Sequence, residues 1–213
     1  MTRPSFPKVK VCGITRLEDA LGCVERGVDA LGLNFWPGTP RCVDLARACE
    51  IARAVRGRAA IVGVFVDASF EEIRRIDERV GLDAIQLHGD EPPETLEALG
   101  PRAYKALGVR AGESADEVLA RTRRYPGVKI LLDAKVPGAM PGGTGTRFDG
   151  RLAIAVAKER ELILAGGLKP SNVAEAIAEV GPAWVDTASG VERAPGIKDL
   201  DAVETFVRRA RGA

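Results

Sequence analysis

Short runs of Val, Ile and Leu recur along the chain, and each is followed by a stretch whose apolar positions repeat at helical spacing. The runs predict strands near Lys8–Cys12, Ala30–Phe35, Ala60–Val66, Ala84–Leu87, Ala103–Ala106, Val128–Asp133, Leu162–Ala165 and Trp184–Asp186. Most are nearly continuous in apolar residues, as parallel strands covered on both faces require. Between them fall amphipathic helices. Leu17, Ala20, Leu21 and Val24 make one face, with Thr15 and Glu18 spaced as a capping box and Gly27 as the stop. Ile51, Ala52 and Val55 make a second face, and Ile73, Ile76 and Val80 a third. Val173, Ala176, Ile177 and Val180 follow at i, i+3, i+4, i+7, with Pro170 suited to the first turn, and Leu200, Val203 and Val207 mark the last helix. About eight such units close into a barrel more readily than they form an open sheet. With no linker, low-complexity tract or strong repeat to divide it, the chain is expected to be an α/β protein, a single (β/α)8 barrel domain over residues 1–213.

Composition narrows the function classes. A length of 213 residues suits one domain, though it is short for an eight-unit barrel. The net charge of +1 gives bulk electrostatics no hold on nucleic acid or a membrane surface. No apolar run approaches the roughly 20 residues that span a bilayer. The first residues lack the apolar core of a signal peptide, so the expected location is the cytoplasm. Cys12, Cys23, Cys42 and Cys49 have no metal-binding spacing and read as free thiols there. A single histidine, His88, cannot supply the imidazoles that a metal-dependent sugar-phosphate barrel uses, and no metal is expected.

In a barrel of this kind the chemistry gathers where strands end, so those positions carry the functional reading. Gly166-Gly167 and Ser189-Gly190 follow two adjacent predicted strands, and such paired turns can aim several backbone N–H groups at one phosphate. Single glycines would only tighten turns, but the pairing favours a ligand. On the first strand Lys8, Lys10 and Cys12 share one face and Val9 and Val11 the other, which points Cys12 into the mouth. Cys12 is either a small core residue or a reactive thiol. Lys10 beside it is either a salt-bridged barrel lysine or a charge that favours thiolate. Arg41 ends a stiff loop containing Pro37, Gly38 and Pro40, where its guanidinium could grip a carboxylate at two points or simply meet solvent. Gln86 and His88 share a face at the end of the fourth strand. Asp133 closes an otherwise apolar sixth strand, where packing alone does not call for an acid. The segment Pro137–Gly145 has no helical period and could close over a ligand. Asp186 ends the eighth strand as a second acid or as the cap of a short phosphate-binding helix.

Lys10-Val11-Cys12-Gly13-Ile14-Thr15, Phe35-Trp36-Pro37 with Arg41, Gly63-Val64-Phe65-Val66 and Gln86-Leu87-His88-Gly89 come first. Leu131-Leu132-Asp133, Gly142-Gly143-Thr144-Gly145, Ala165-Gly166-Gly167-Leu168 and Val185-Asp186 with Ser189-Gly190-Val191-Glu192 follow. As an ordered set spanning nearly the whole chain, they resemble the phosphoribosylanthranilate isomerase family. The sequence departs from the family pattern at Cys42, where an aromatic is common, at Gly150 after Phe148-Asp149, and at Lys169 before Pro170. The resemblance implies Cys12 as general base, Asp133 as general acid, Arg41 on the anthranilate carboxylate and the two glycine turns on the substrate phosphate.

The implied reaction is an Amadori rearrangement in tryptophan biosynthesis, converting N-(5-phosphoribosyl)anthranilate to 1-(2-carboxyphenylamino)-1-deoxyribulose 5-phosphate. The substrate nitrogen serves as electron sink, so the resemblance implies no cofactor. The expected partner is this small molecule, with no nucleic acid or membrane involved, on a monomer or homodimer. Two other readings stand beside it: a Schiff-base sugar-phosphate aldolase using Lys105, and a non-catalytic phosphosugar-binding barrel.

Overall fold

A computed structural model describes residues 6–110, 112–134 and 150–212. Eight parallel strands close into a barrel in sequence order: β1 (Lys8–Cys12), β2 (Ala30–Asn34), β3 (Ala60–Phe65), β4 (Ala84–Leu87), β5 (Ala103–Val109), β6 (Ile130–Ala134), β7 (Leu162–Leu164) and β8 (Trp184–Thr187). The helices α1 (Leu17–Glu25), α2 (Leu45–Val55), α3 (Phe70–Val80), α4 (Pro93–Leu99), α5 (Ala115–Arg123), α6 (Gly150–Glu159), α7 (Val173–Val180) and α8 (Leu200–Ala210) surround it. The expected (β/α)8 barrel is therefore the observed fold. The segment Pro137–Gly145, with its glycine motif, lies outside the described residues.

Alternation along each strand divides the apolar residues between two compartments. On β1, Val9 and Val11 are completely buried against the helices, with Leu31, Leu33, Ile85 and Leu87 of neighbouring strands in the same layer. Ala30, Val62, Tyr104, Ala106, Leu131 and Ile163 fill the barrel interior instead. Each fully buried branched side chain stabilises the fold by ~1.5–3 kcal/mol before the entropy of ordering the chain is counted. The closing register pairs β1 with β8, setting Lys10 beside Asp186 and Val11 beside Thr187. Across the other edge Cys12 pairs with Gly32, whose missing side chain leaves room for the sulfur: a Cβ there would stand 2.8 Å from Sγ.

Several local expectations are corrected. Thr15 does not cap α1; its hydroxyl donates to the Gly196 carbonyl at 2.6 Å, and Arg16 takes the cap position without a side-chain bond. A full capping box forms at α5 instead, between Ser114 and Glu117. The most buried positions of α1 are Asp19, Ala20, Gly22 and Cys23 rather than Leu17, Leu21 and Val24, because the helix is wedged against both α2 and α8. Gly22 makes that contact possible, since a Cβ there would lie 2.5 Å from Leu200. Pro170 precedes α7, which starts after Asn172, and its carbonyl accepts a bond from Arg209. Between β8 and α8 the chain forms a short 3-10 turn, Ser189–Val191, and an unexpected antiparallel hairpin, β9 (Glu192–Ala194) and β10 (Ile197–Lys198).

Candidate active site

The strand ends converge on a cavity open to solvent and lined by Cys12, Arg41, Gln86, His88, Asp133, Asp186 and both glycine turns. Lys10 and Lys105, also singled out from the sequence, are not among its lining residues.

Each side of the mouth has its own construction. Gly166 and Gly167 have φ of 94° and 69°, a region that L side chains seldom enter. Gly190 packs so closely on the first turn that a Cβ would lie 1.9 Å from the Leu168 carbonyl oxygen. Thr187 donates to that same carbonyl at 2.8 Å, and Asn172 donates to the Gly167 carbonyl at 3.0 Å. Two turns from separate strands thus form one shelf, with the backbone of Ser189 and Gly190 at the start of the 3-10 turn. Asp186 does not cap that turn. Its side chain lies inside the barrel, where Oδ2 accepts from Lys10 Nζ at 2.9 Å, and the pair is almost wholly buried.

Lys10 is therefore the salt-bridged barrel lysine of the two readings. Burial by itself would favour its neutral form, but Asp186, with Cys12 and Tyr104 close by, outweighs that and holds the ammonium. Burial raises the Cys12 thiol above its ordinary range; Lys10 draws it down, Asp186 pushes it up and Lys198 draws it down again. The net direction is upward. Of the two readings of Lys10, the charge that favours thiolate is thus present as well, but burial of the sulfur outweighs it.

On β6, the strand next to β7 and its glycine turn, Asp133 is buried at the C-terminal end. His88 Nε2 stands 3.9 Å from its Oδ2, beyond hydrogen-bond length but close enough to act on its charge. Gln86 is fully buried and accepts from the Tyr104 hydroxyl at 2.9 Å, with its amide 3.4 Å from His88 Nδ1. The chain from Tyr104 through Gln86 thus orients the imidazole toward the acid.

Arg41 reaches the mouth over Gly13, where a Cβ would collide with its side chain at 2.5 Å. Its Nε and Nη2 bind Glu192 at 2.9 and 2.7 Å, and Nη1 stays uncommitted among the described residues. Glu192 also accepts from Lys198 Nζ at 2.8 Å, and that ammonium reaches the backbone carbonyls of Cys12 at 2.7 Å and Ala188 at 3.3 Å. Burial would raise the Glu192 carboxyl, but Arg41 and Lys198 together hold it below the usual range. One charged cluster thereby joins the arginine, the backbone of the cysteine and the entry to the Ser189-Gly190 turn. The sequence reading passed over Lys198, which lies in a short segment without periodicity, and gave Glu192 no role.

A sequence model of the family described as N-(5'phosphoribosyl)anthranilate (PRA) isomerase matches residues 9–209. The chain belongs to this family. A relative named N-(5'-phosphoribosyl)anthranilate isomerase from Myxococcus xanthus (strain DK1622) is 48% identical over 209 residues, covering 96% of each chain. The crystal structure of phosphoribosyl anthranilate isomerase from Thermotoga maritima superposes with a TM-score of 0.87 at 39% identity, over 97% of this chain and 100% of that one. A further phosphoribosyl anthranilate isomerase, solved in complex with reduced 1-(o-carboxyphenylamino)-1-deoxyribulose 5-phosphate, has a TM-score of 0.85 at 38% identity, over the same shares. Membership in the isomerase family removes the aldolase reading, and the site agrees. Lys105 is 1% exposed, donates to the Gly89 carbonyl and to Glu91, both at 2.6 Å, and is not among the residues that line the cavity.

Proposed function

We propose that this isomerase converts N-(5-phosphoribosyl)anthranilate to 1-(2-carboxyphenylamino)-1-deoxyribulose 5-phosphate with Asp133 as general acid and Cys12 as general base. The observation that carries the reading is that Cys12 and Asp133, from strands on different sides of the barrel, line the same cavity as the paired glycine turns. Asp133, protonated, gives its proton to the ribose ring oxygen and the C1–O bond opens to an iminium. Cys12 takes the proton from C2 and the electrons move onto nitrogen, leaving a neutral enolamine. The cationic iminium itself eases ionisation of a thiol whose pKa burial has raised. The turns Gly166-Gly167 and Ser189-Gly190 hold the phosphate, and Arg41, fixed by Glu192 through one edge, offers Nη1 to the anthranilate carboxylate. Gln86 and His88 line the sugar beside Asp133.

On the same footing we take residues 1–213 as one domain, working in the cytoplasm as a monomer or homodimer on a small molecule rather than on nucleic acid or a membrane. The near-zero net charge supports this, as does the finding that no described helix is long and apolar enough to cross a membrane.

Turnover, followed as loss of anthranilate fluorescence, tests the assignment. Cys12→Ala and Asp133→Asn should each lower kcat by at least ~10²-fold with little change in KM, since a positioned proton-transfer group contributes that much. Cys12→Ser should not restore the rate, because a hydroxyl is a far weaker base. Near wild-type kcat in folded Cys12→Ala would remove the cysteine from the mechanism.

A further inference from the structure

The Lys10–Asp186 pair is only half satisfied. Oδ2 of Asp186 accepts from Lys10, but Oδ1 is buried and has no hydrogen-bond partner among the described residues. A buried carboxylate oxygen left unpaired is costly, so an unpaired one beside a ligand cavity points to a donor that arrives with the ligand. The residue is 93% buried, counted from its 7% exposure, yet it lines the substrate cavity. Its register places it one layer below Cys12: Lys10 pairs with Asp186 across the β1–β8 edge, and Cys12 is the next inward residue along β1. An acceptor is thus held under the base.

The reaction leaves a proton for such an acceptor to take. Once Cys12 has removed the C2 proton, the intermediate is an enolamine that still carries a hydroxyl on C2. Conversion to the ketone requires that hydroxyl proton to leave and C1 to gain one. Cys12 is not free for the first task, since it holds the proton from C2. Asp133 is ionised by then and is a base as well, but it ends β6, three strands round the barrel from β1, whereas Asp186 lies on β8 directly beside the strand that carries Cys12.

We propose that Asp186 is a third catalytic residue, whose Oδ1 accepts the hydrogen bond of the substrate C2 hydroxyl and then takes its proton as the enolamine becomes the ketone. The O–H pair becomes the second bond of C2=O, the C1=C2 π pair takes the proton from the Cys12 thiol, and a C1–H bond forms. Cys12 returns to thiolate, Asp186 ends protonated and Asp133 ionised, and exchange of one proton through solvent resets both acids. Lys10 keeps Asp186 ionised beforehand, and burial, which raises its carboxyl, makes it a stronger base toward the hydroxyl. The inference rests on the acid and base roles proposed above for Asp133 and Cys12.

The test is product formation from N-(5-phosphoribosyl)anthranilate in D2O, together with the deuterium content at C2 of recovered substrate. In Asp186→Asn the amide can still bind the hydroxyl but cannot take its proton. Product formation should fall at least ~10²-fold, the low end for a proton-transfer group, while recovered substrate gains deuterium at C2 because Cys12 still works reversibly. The Lys10→Met/Asp186→Asn double variant, which leaves no orphaned buried ammonium, should behave the same way. Unchanged product formation in Asp186→Asn overturns the proposal. So does loss of product and exchange together: recovery of both in the double variant marks a structural ion pair, and persistence of both losses places Asp186 ahead of ketonisation. Cys12→Ala in the same assay separates this proposal from its basis. That variant should show neither product nor exchange, and activity in it would remove the base assignment whatever Asp186 does.

Discussion

Two lysine–carboxylate pairs are buried in this barrel, and they are finished differently. Lys105 and Glu91 sit beneath the loops after β3 and β4 with every oxygen of the carboxylate in use. Oε2 takes Lys105 and the Gly89 amide, and Oε1 takes the Gly89 and Asp67 amides, so one side chain ties two loops together. Asp67 needs such a tether, since its φ of 50° is rare for a residue with a side chain. Lys10 and Asp186 are as deeply buried, but one oxygen of a carboxylate that lines the cavity has no partner among the described residues. Burying charge is costly, and full hydrogen bonding is what makes it tolerable. The completed pair is architecture, and the incomplete one is where the proposal for Asp186 rests.

The contrast is most open to attack at Glu91. Glu91→Ala orphans a buried ammonium and two backbone amides, and should destabilise the fold by ~3–5 kcal/mol, as breaking a buried pair does. Urea denaturation measures the loss, and kcat of the folded fraction should stay near wild type. A fall in kcat larger than the fall in stability would break the distinction between the two pairs.

Lys10→Met should show the opposite balance. Asp186 can take up a proton when its partner is lost, since burial already raises its carboxyl, so the stability loss should be smaller than at Glu91. The Cys12 thiol, without the lysine drawing it down, should titrate higher still. The rate of Cys12 alkylation against pH reads this directly. Alkylation that follows the wild-type curve in Lys10→Met would mean that the lysine does not act on the sulfur.

Glu192 sharpens the comparison with a smaller effect. Like Glu91 it is fully engaged, by Arg41, Lys198 and the Gly196 amide. Its carboxyl is held below the ordinary glutamate value of about 4.3. A lowered folded-state value means the unfolded chain binds the proton more readily, so Glu192 contributes stability above that range and loses it as pH falls through its own lower value. Wild-type stability should therefore drop between about pH 4.3 and more acidic conditions. Glu192→Gln should show a shallower drop there, measured by denaturant titration at each pH. Parallel curves for the two proteins would show that the cluster does not depend on the Glu192 charge.

Local order was legible wherever a residue's role follows from its immediate neighbours. Alternation on β1 sends Val9 and Val11 to the helices and Cys12 inward, and the glycines after β7 and β8 mark the shelf by their place in the chain. Thr15 was misread because a capping box and a long-range bond to the Gly196 carbonyl use the same hydroxyl, and sequence spacing describes only the first. The β9–β10 hairpin went unseen because strands of three and two residues carry no measurable period.

The sequence by itself determined the barrel, the order of its strands and the side chains that face its mouth, since period and strand-end position depend on residues a few places apart. Only the tertiary structure decided which charges meet. Lys10 and Asp186 are separated by 176 positions and Arg41 and Glu192 by 151, yet each pair is in hydrogen-bond contact. Barrel closure sets those distances, and Coulomb energy depends on distance and burial rather than on separation along the chain. The same lysine, read locally, was either a solvated or salt-bridged barrel residue or an activator of Cys12; only packing against Asp186 names its partner.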